Sequence, residues 1–236
     1  MSETVKSCEG IPLPVFTIGK VESVGEVTGA IPKGSVWLLN LNTNGDEPLS
    51  GQFYLLKSKK SGVLLGRPIS VYSSKNENGK TKIGFMILKK GKGTEELVNL
   101  SKDDEVELIV PLGNIFPEPK ENAKIAIIGG GIGVAPVAGF ASSLKDESYD
   151  FFAAFKSGSY GLDFVKAKNL VITTDDGSVG VKGMLSAAFN EENVKNYDVV
   201  YACGPTPMLA YIQKVCVAKI EHQRLHKLSE YKQALE

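Results

Sequence analysis

A run of glycines ending in a proline is the segment of this sequence best suited to holding a phosphate. The run, Gly129–Pro136, directly follows a continuous apolar stretch and precedes a helix-compatible one. Glycine lets the backbone approach a ligand closely, and the amides at a helix start attract anions. Val134 stands where the common G-x-G-x-x-G pattern has its last glycine, so a tight turn without a ligand is the alternative. The position between strand and helix favours ligand binding.

Two segments of the first half of the chain can also bind an anion. In Arg67–Ser70 the guanidinium can hold a phosphate through two parallel hydrogen bonds, and the serine hydroxyl can reach the edge of a flavin ring. In Lys90–Thr94, glycines, lysines and a hydroxyl precede a predicted helix. Taken alone, the first segment is more typical of an ordinary edge strand, and the second is equally compatible with a solvated turn.

Two turns follow apolar strands of the second half, Thr174–Ser178 and Cys203–Met208. Ligands of open α/β sheets bind beyond the carboxyl ends of strands, so both turns can line a nucleotide site. The alternatives are a polar turn and a buried structural thiol. His222 and His226 share the spacing of metal ligands but lack a third partner nearby, so we predict no metal site.

The elements that position these segments change character near Pro117–Pro119, which we interpret as a linker between domains 1–118 and 119–236. Short alternating runs separated by turn residues predict an antiparallel β-barrel in the first domain. A helix is predicted near Glu95–Leu100, with Thr94 as its N-cap. The predicted barrel strands are Val15–Val24, Val36–Leu41, Gln52–Lys57, Ile69–Ser73, Lys82–Leu88 and Val106–Val110.

In the second domain, apolar strands alternating with helical stretches predict an α/β fold with a doubly wound parallel sheet. The first helix is expected to reach Leu144. The predicted strands are Lys124–Ile128, Tyr149–Phe155, Asn169–Thr173 and Asp198–Ala202.

Composition narrows the classes of function. The 236 residues carry 27 basic and 27 acidic side chains, so no global field attracts nucleic acid or an anionic membrane. The apolar runs are too short to span a bilayer and the N-terminus has no signal-peptide pattern, so we expect a cytoplasmic location. Three scattered cysteines are too few for a four-thiolate iron–sulfur or zinc site.

Six segments in a fixed order resemble the ferredoxin-reductase superfamily, most of all the electron-transfer subunits of bacterial dihydroorotate dehydrogenase. The resemblance runs from about Pro14 to Val215. The matching segments are Arg67–Ser70, Gly91–Thr94, Pro111–Asn114, Gly129–Pro136, Asp175–Gly180 and Cys203–Met208.

The resemblance implies a flavoprotein oxidoreductase that takes electrons from NAD(P)H through FAD to a partner, with Ser70 and Cys203 beside the reacting rings. FAD would be held by Arg67, Pro68, Ile69, Ser70, Gly91, Lys92, Gly93 and Thr94. The nicotinamide nucleotide would be held by Gly129, Gly130, Gly131, Ile132, Gly133, Pro136, Asp175, Asp176, Gly204, Pro205 and Met208.

The chain departs from the dihydroorotate dehydrogenase subunits at the four cysteines that would bind a [2Fe–2S] cluster, because only Cys216 stands in that region. We expect no cluster on this chain. The electron acceptor would be a dihydroorotate dehydrogenase catalytic subunit of pyrimidine biosynthesis, another iron–sulfur protein or a small oxidant. The alternatives are a non-catalytic flavin- or nucleotide-binding regulator and a stand-alone flavin reductase.

Two further questions stay open at this point. Leu225, Leu228 and Leu235 form a narrow apolar stripe, which would pack on the nucleotide domain or dock a partner. Lys156 and Ser157 end the second strand of the α/β domain and could accept the 2′-phosphate of NADPH, although the family resemblance favours NADH.

Overall fold

The first half of the chain closes into a barrel of six antiparallel strands, in the order β1-β2-β5-β4-β3-β6. Apolar side chains alternate inward most regularly along β2, β3 and β6, and Leu39, Leu56, Phe85 and Leu108 fill the interior. All six predicted strands are confirmed. Their bounds are β1 Val15–Glu26, β2 Val36–Thr43, β3 Phe53–Ser58, β4 Arg67–Glu77, β5 Lys80–Leu88 and β6 Glu105–Leu112.

The computed structural model describes the backbone of residues 15–44, 46–60, 62–77 and 79–233, and the side chains of those residues up to Lys219. Cys8, the two histidines and the predicted leucine stripe therefore lie outside the described side chains. No helix in this described part combines the length and apolar character needed to cross a bilayer.

The one helix of the barrel domain among the described residues, α1 (Lys92–Val98), begins earlier than predicted. Its N-cap is Gly91, so the assignment of Thr94 as N-cap is wrong. The Thr94 hydroxyl reaches backwards from the first turn and accepts hydrogen bonds from the amides of Lys90 (3.0 Å) and Gly91 (3.1 Å). Thr94 therefore closes the turn that leads into the helix.

The second half forms a five-stranded parallel sheet in the order β10-β9-β8-β7-β11. Strand β7, which lies between β8 and β11, is buried at every residue, which explains its unbroken apolar sequence. The two-residue strand β10 is too short for its sequence to predict. The bounds are β7 Ile125–Gly130, β8 Tyr149–Phe155, β9 Asn169–Thr174, β10 Val181–Lys182 and β11 Val199–Cys203.

The expected alternation of strands and helices holds only in part. Helix α2 (Val134–Ala141) follows β7 and helix α3 (Thr206–Gln233) follows β11, but residues 156–168 form turns and residues 183–198 contain only short 3-10 turns. Gly158 and Gly161 adopt left-handed backbone angles (φ +67° and +69°), which interrupt any helix between β8 and β9.

Helix α2 also ends three residues before the predicted Leu144. The hydroxyls of Ser142 and Ser143 each donate a 2.7 Å hydrogen bond to a carbonyl of the last turn, on Gly139 and Phe140 respectively. Local bonds of this kind compete with helix continuation.

The two halves share a hydrophobic cluster that is separate from the barrel's own core. Tyr72 and Met86 of the barrel pack in the same cluster as Val134 and Ala138 of α2. A Cβ added at Gly139 would lie 2.6 Å from the Tyr72 carbonyl oxygen, so α2 lies directly against the backbone of β4. The domain boundary placed after residue 118 falls between β6 and β7 and stays a prediction.

Candidate functional site

The strand order of the parallel sheet creates a crevice at the carboxyl ends of β7 and β11. From β7 the chain proceeds outward through β8, β9 and β10, and then returns to place β11 on the other side of β7. Cys203, the last residue of β11, lies opposite Gly129 of β7. A reversal of strand order of this kind is where open α/β sheets bind their ligands.

The glycine run packs at this crevice against the Cys203–Met208 segment, which joins the end of β11 to the start of α3. A Cβ on Gly133 would lie 2.6 Å from the Cys203 carbonyl oxygen and 2.7 Å from the Gly204 Cα. A Cβ on Gly130 would lie 2.5 Å from the Met208 Sδ and 2.9 Å from the Pro205 Cδ. These two glycines are therefore required for the turns to meet, whether or not a ligand binds.

Gly131 differs from its neighbours in facing open space. Its φ is +53°, and a Cβ placed on it would meet no atom within 4 Å outside its chain neighbours. The chain continues through a 3-10 turn, Gly131–Gly133, into α2, whose first turn contains the buried Pro136. Ile132 packs against the core behind the turn. The Gly131 backbone therefore faces open space without a side chain, as a phosphate-binding turn requires.

Cys203 is half-buried, and burial raises the pKa of its thiol above the ordinary value. At neutral pH the group is therefore an uncharged thiol rather than a thiolate. Such a group can pack against an apolar ring but is a poor nucleophile.

A polar cluster lies beyond the carboxyl ends of β8 and β9, at the same edge of the sheet. The Ser157 hydroxyl donates a 2.5 Å hydrogen bond to Asp176 Oδ2, and the Ser178 amide donates a 2.9 Å bond to Asp176 Oδ1. The Ser157 hydroxyl, together with the hydroxyl and amide of Ser178, lowers the pKa of Asp176 to about 2. Sequence reasoning missed the Ser157–Asp176 pair, although the spacing of Asp176 and Ser178 is typical of an Asx turn.

Asp175 is tied to the same edge by its backbone only. Its amide donates a 3.1 Å hydrogen bond to the Phe155 carbonyl, while the side chain is exposed. The structure thus brings Asp175 and Asp176 to the end of β8, beside the glycine run.

On the barrel, Arg67 lies against the start of α1. Its Nη2 donates a 2.8 Å hydrogen bond to the Leu65 carbonyl, and its buried Nε has no hydrogen-bond partner among the described residues. A Cβ on Gly93 would lie 2.9 Å from the Arg67 Cδ. The structure therefore joins two segments that are remote in the sequence, and the buried Arg67 Nε has no partner among the described residues.

The other residues of the Arg67–Ser70 segment divide between two faces of β4. Pro68 and Ser70 pair with Leu55 and Phe53 of β3, on the outer face of the barrel, and Pro68 is exposed. Ile69 packs against the barrel core. Because β4 also contacts α2 through Gly139, the barrel segment and the glycine run belong to elements that touch.

Comparison with known proteins gives the family. No family model matches the chain. The chain is 40% identical over 207 residues to the dihydroorotate dehydrogenase B (NAD(+)), electron transfer subunit, of Clostridium acetobutylicum, a match that covers 86% of this chain and 78% of that protein. It is 34% identical over 173 residues to the subunit of the same name from Clostridium perfringens, covering 71% and 67%.

The chain belongs to the family of dihydroorotate dehydrogenase B electron transfer subunits. Membership makes it an oxidoreductase of the electron-transfer type and confirms the resemblance carried by the six segments.

Solved structures confirm the two-part fold. The ferredoxin reductase of carbazole 1,9a-dioxygenase superposes with a TM-score of 0.69 at 23% identity, over 87% of this chain and 66% of that one. An NADH-dependent reduced ferredoxin-NADP oxidoreductase superposes with a TM-score of 0.64 at 23% identity, over 87% and 72%. The chain therefore has the barrel and parallel sheet of ferredoxin-reductase-like proteins.

Proposed function

We propose that the chain binds FAD on its barrel and a pyridine nucleotide at the crevice of its sheet, and that it conducts electrons from NAD(P)H to a protein partner. The observation that carries this proposal is the open space at Gly131, in the glycine run at the reversal of strand order. Open space beside the backbone at the start of a helix, in this position of the sheet, fits a pyrophosphate.

The barrel residues fit the flavin cofactor. Arg67 offers a buried Nε donor that no described residue uses, beside the glycine-rich entry to α1. We assign Arg67, Pro68, Ile69, Ser70 and Gly91–Thr94 to FAD, with the guanidinium at the pyrophosphate and the Ser70 hydroxyl near the ring. FAD bound there would supply the chemistry that joins a two-electron hydride donor to single-electron acceptors.

The chain's own part is to position the two rings. The glycines of the run let the nucleotide backbone approach, and the uncharged Cys203 thiol would pack beside the nicotinamide. Gly204, Pro205 and Met208 hold that thiol's turn against the glycine run. We assign no acid–base pair, because hydride transfer between the two cofactors requires none.

The acceptor we propose is a dihydroorotate dehydrogenase catalytic subunit, because the relatives are named as electron transfer subunits of that enzyme. The printed sequence contains three cysteines, one fewer than a [2Fe–2S] cluster with four thiolates needs. Electrons would therefore leave the flavin directly or through a cluster on another protein.

Four measurements on the purified chain test the proposal. We expect a yellow protein with about one FAD per chain, bleached anaerobically by NAD(P)H, that reduces orotate only when a dihydroorotate dehydrogenase catalytic subunit is added. Iron analysis after iron-replete anaerobic expression should find flavin absorption alone. About two irons and two sulfides per chain would refute the proposed electron route.

A colourless chain that never takes up FAD would contradict the flavoprotein proposal and favour a nucleotide-binding regulator. A yellow chain with readily dissociable flavin and full activity without a partner would favour a stand-alone flavin reductase.

A further inference from the structure

The turns that connect β8 to β9 are bonded to both halves of the molecule. On the nucleotide side, the Gly158 amide donates a 2.8 Å hydrogen bond to the Ser178 hydroxyl, in the polar cluster beyond β8 and β9. On the barrel side, the Ser159 amide donates a 3.1 Å hydrogen bond to the carbonyl of Gly29, which lies between β1 and β2. Two successive residues of this connection therefore join the sheet to the barrel.

The same connection packs closely against the barrel. Gly158 forms an antiparallel β-bridge with Ala30, which is buried. A Cβ on Gly161 would lie 2.8 Å from the Met86 Cε of β5 and 3.1 Å from the Val134 Cγ1 of α2. Gly161 is thus enclosed between the barrel and the first helix of the nucleotide half, and its position is tied to both.

Tyr72 of β4 makes a third contact with this connection. Its ring lies 4.9 Å from the Phe164 ring, and its hydroxyl donates a 3.1 Å hydrogen bond to Asp163 Oδ2. Tyr72 is only 2% exposed, whereas Asp163 is exposed. Burial, together with the Asp163 carboxylate, raises the pKa of the Tyr72 phenol above its ordinary value, so the hydroxyl stays protonated and donates this bond at physiological pH.

Tyr72 contacts the helix of the glycine run as well. A Cβ on Gly139 of α2 would lie 2.6 Å from the Tyr72 carbonyl oxygen. Along β4, Tyr72 follows two residues after Ser70, which we assign to the flavin ring. One barrel residue beside the proposed flavin subsite therefore contacts α2 through its backbone and the β8–β9 connection through its side chain.

The rate of hydride transfer between two bound cofactors depends on how the two halves are oriented, because a misplacement of about 1 Å can slow a reaction by about 100-fold. We infer that Tyr72 is a positioning residue for electron transfer: through Asp163 and Phe164 it fixes the orientation of the sheet against the barrel at which the nicotinamide meets the flavin. This inference rests on the proposed function, because it assumes that the barrel binds FAD and that the crevice binds a pyridine nucleotide.

The test removes the hydrogen bond from either side. Tyr72→Phe keeps the ring contact with Phe164 and removes the hydroxyl, whereas Asp163→Ala removes the acceptor and Asp163→Asn keeps an oxygen that can accept the bond. The matched control is Tyr197→Phe, which removes a 2.8 Å hydrogen bond from a tyrosine to Asp150 Oδ2 within the nucleotide half. Because Asp163 is exposed, Asp163→Ala tests the bond even if Tyr72→Phe loses stability.

Anaerobic stopped flow follows the reaction of each FAD-loaded protein, in which a hydride passes from NADH to FAD and leaves NAD⁺ and reduced flavin. A series of NADH concentrations separates the rate constant at saturation from the dissociation constant for NADH. The long-wavelength charge-transfer absorbance of a nicotinamide stacked on a flavin reports the geometry of the two rings. Bound FAD per chain is measured on the same samples.

We expect Tyr72→Phe and Asp163→Ala each to lower the rate constant at saturating NADH about tenfold and to weaken the charge-transfer absorbance. FAD content and the dissociation constant for NADH should stay at the wild-type values. The double variant should be no slower than either single variant, because all three lose the same bond. Asp163→Asn and Tyr197→Phe should reduce their flavin at close to the wild-type rate.

The outcomes separate failure of this inference from failure of the proposed function. If NADH reduces the wild-type flavin, the positioning role of Tyr72 is overturned by a wild-type rate constant in both Tyr72→Phe and Asp163→Ala, or by an equal loss in Tyr197→Phe. A change confined to FAD content or to the dissociation constant for NADH also overturns it, since it indicates a role in binding. In each of these cases the proposed function stands. If wild type takes up no FAD, or if NADH does not reduce it, the proposed function fails and the inference fails with it.

Discussion

The two proposed cofactor subsites are built by different means. At the crevice of the sheet, Gly130 and Gly133 lie against the segment that follows Cys203, and we propose that backbone shape determines which ligand can enter. On the barrel, Arg67 lies beside Gly93, its buried Nε has no hydrogen-bond partner among the described residues, and we propose that this one charged side chain determines the affinity for FAD. We therefore expect the crevice subsite to lose binding when its backbone contacts are changed, and the barrel subsite to lose binding when the charge of Arg67 is removed.

The largest effect is expected from Gly133→Ala. Its Cβ would lie 2.6 Å from the Cys203 carbonyl and 2.7 Å from the Gly204 Cα, both backbone atoms, so β7 and β11 must move. We expect a loss of about 1–3 kcal/mol in the free energy of unfolding and a fall of about 100-fold in NADH-dependent flavin reduction. Thermal unfolding and stopped flow measure the two effects.

The matched control is Gly25→Ala in β1, where no atom lies within 4 Å of the added Cβ. This variant should keep the wild-type melting temperature within a few degrees and reduce its flavin normally. If Gly133→Ala reduced its flavin with NADH at the wild-type rate, the comparison would be contradicted, because nucleotide binding at the crevice would then not depend on backbone contact.

The next largest effect is expected from Arg67→Ala. Removing a charge-assisted contact should weaken FAD binding by about 1.5–3 kcal/mol, while the nucleotide crevice is untouched. Bound FAD per chain after gel filtration measures the loss. Arg67→Lys keeps the charge but cannot form two parallel hydrogen bonds, so its FAD occupancy should lie between those of wild type and Arg67→Ala. FAD occupancy equal to wild type in Arg67→Ala would remove Arg67 from the flavin site.

A smaller effect is expected from Thr94→Ala. The hydroxyl closes the turn before α1 through the amides of Lys90 and Gly91, and losing these exposed bonds should cost about 0.5–1.5 kcal/mol of stability. FAD retention should fall less than in Arg67→Ala. A loss of FAD as large as that of Arg67→Ala would mean that the turn, rather than the charge, sets the affinity of the barrel subsite.

The smallest effect concerns the thiol at the crevice. Because burial raises the pKa of Cys203, the reactive thiolate is scarce at pH 7.5 and should become abundant only as the pH rises past 9. Alkylation of Cys203 by iodoacetamide, followed by peptide mass spectrometry, should be slower than that of glutathione at pH 7.5, and NAD⁺ should slow it further. Labelling at the glutathione rate would contradict the buried, uncharged thiol.

Much of the fold follows from local pattern. Alternating apolar residues predict all six barrel strands, because a strand buried on one face has an apolar residue at every second position. The unbroken apolar run predicts β7, because a strand buried on both faces is apolar at every position. The sequence pattern misses three features: the helix start at Gly91, the turns of residues 156–168 and the two-residue β10. Left-handed glycines and hydroxyl groups that bond to the preceding backbone determine such local features, and the periodicity of apolar residues does not reveal them.

The sequence by itself determined the kind of protein: the order of its six segments, its glycine run, its single Arg-Pro-Ile-Ser segment and its shortage of cysteines. Tertiary structure alone decided which strand ends meet. The return of β11 to the side of β7 brings Cys203 to Gly133, and the pairing of β8 with β9 brings Asp176 to Ser157. Both contacts join residues far apart in the chain, and only sheet order specifies such neighbours, because local propensity carries no information about which strands pair.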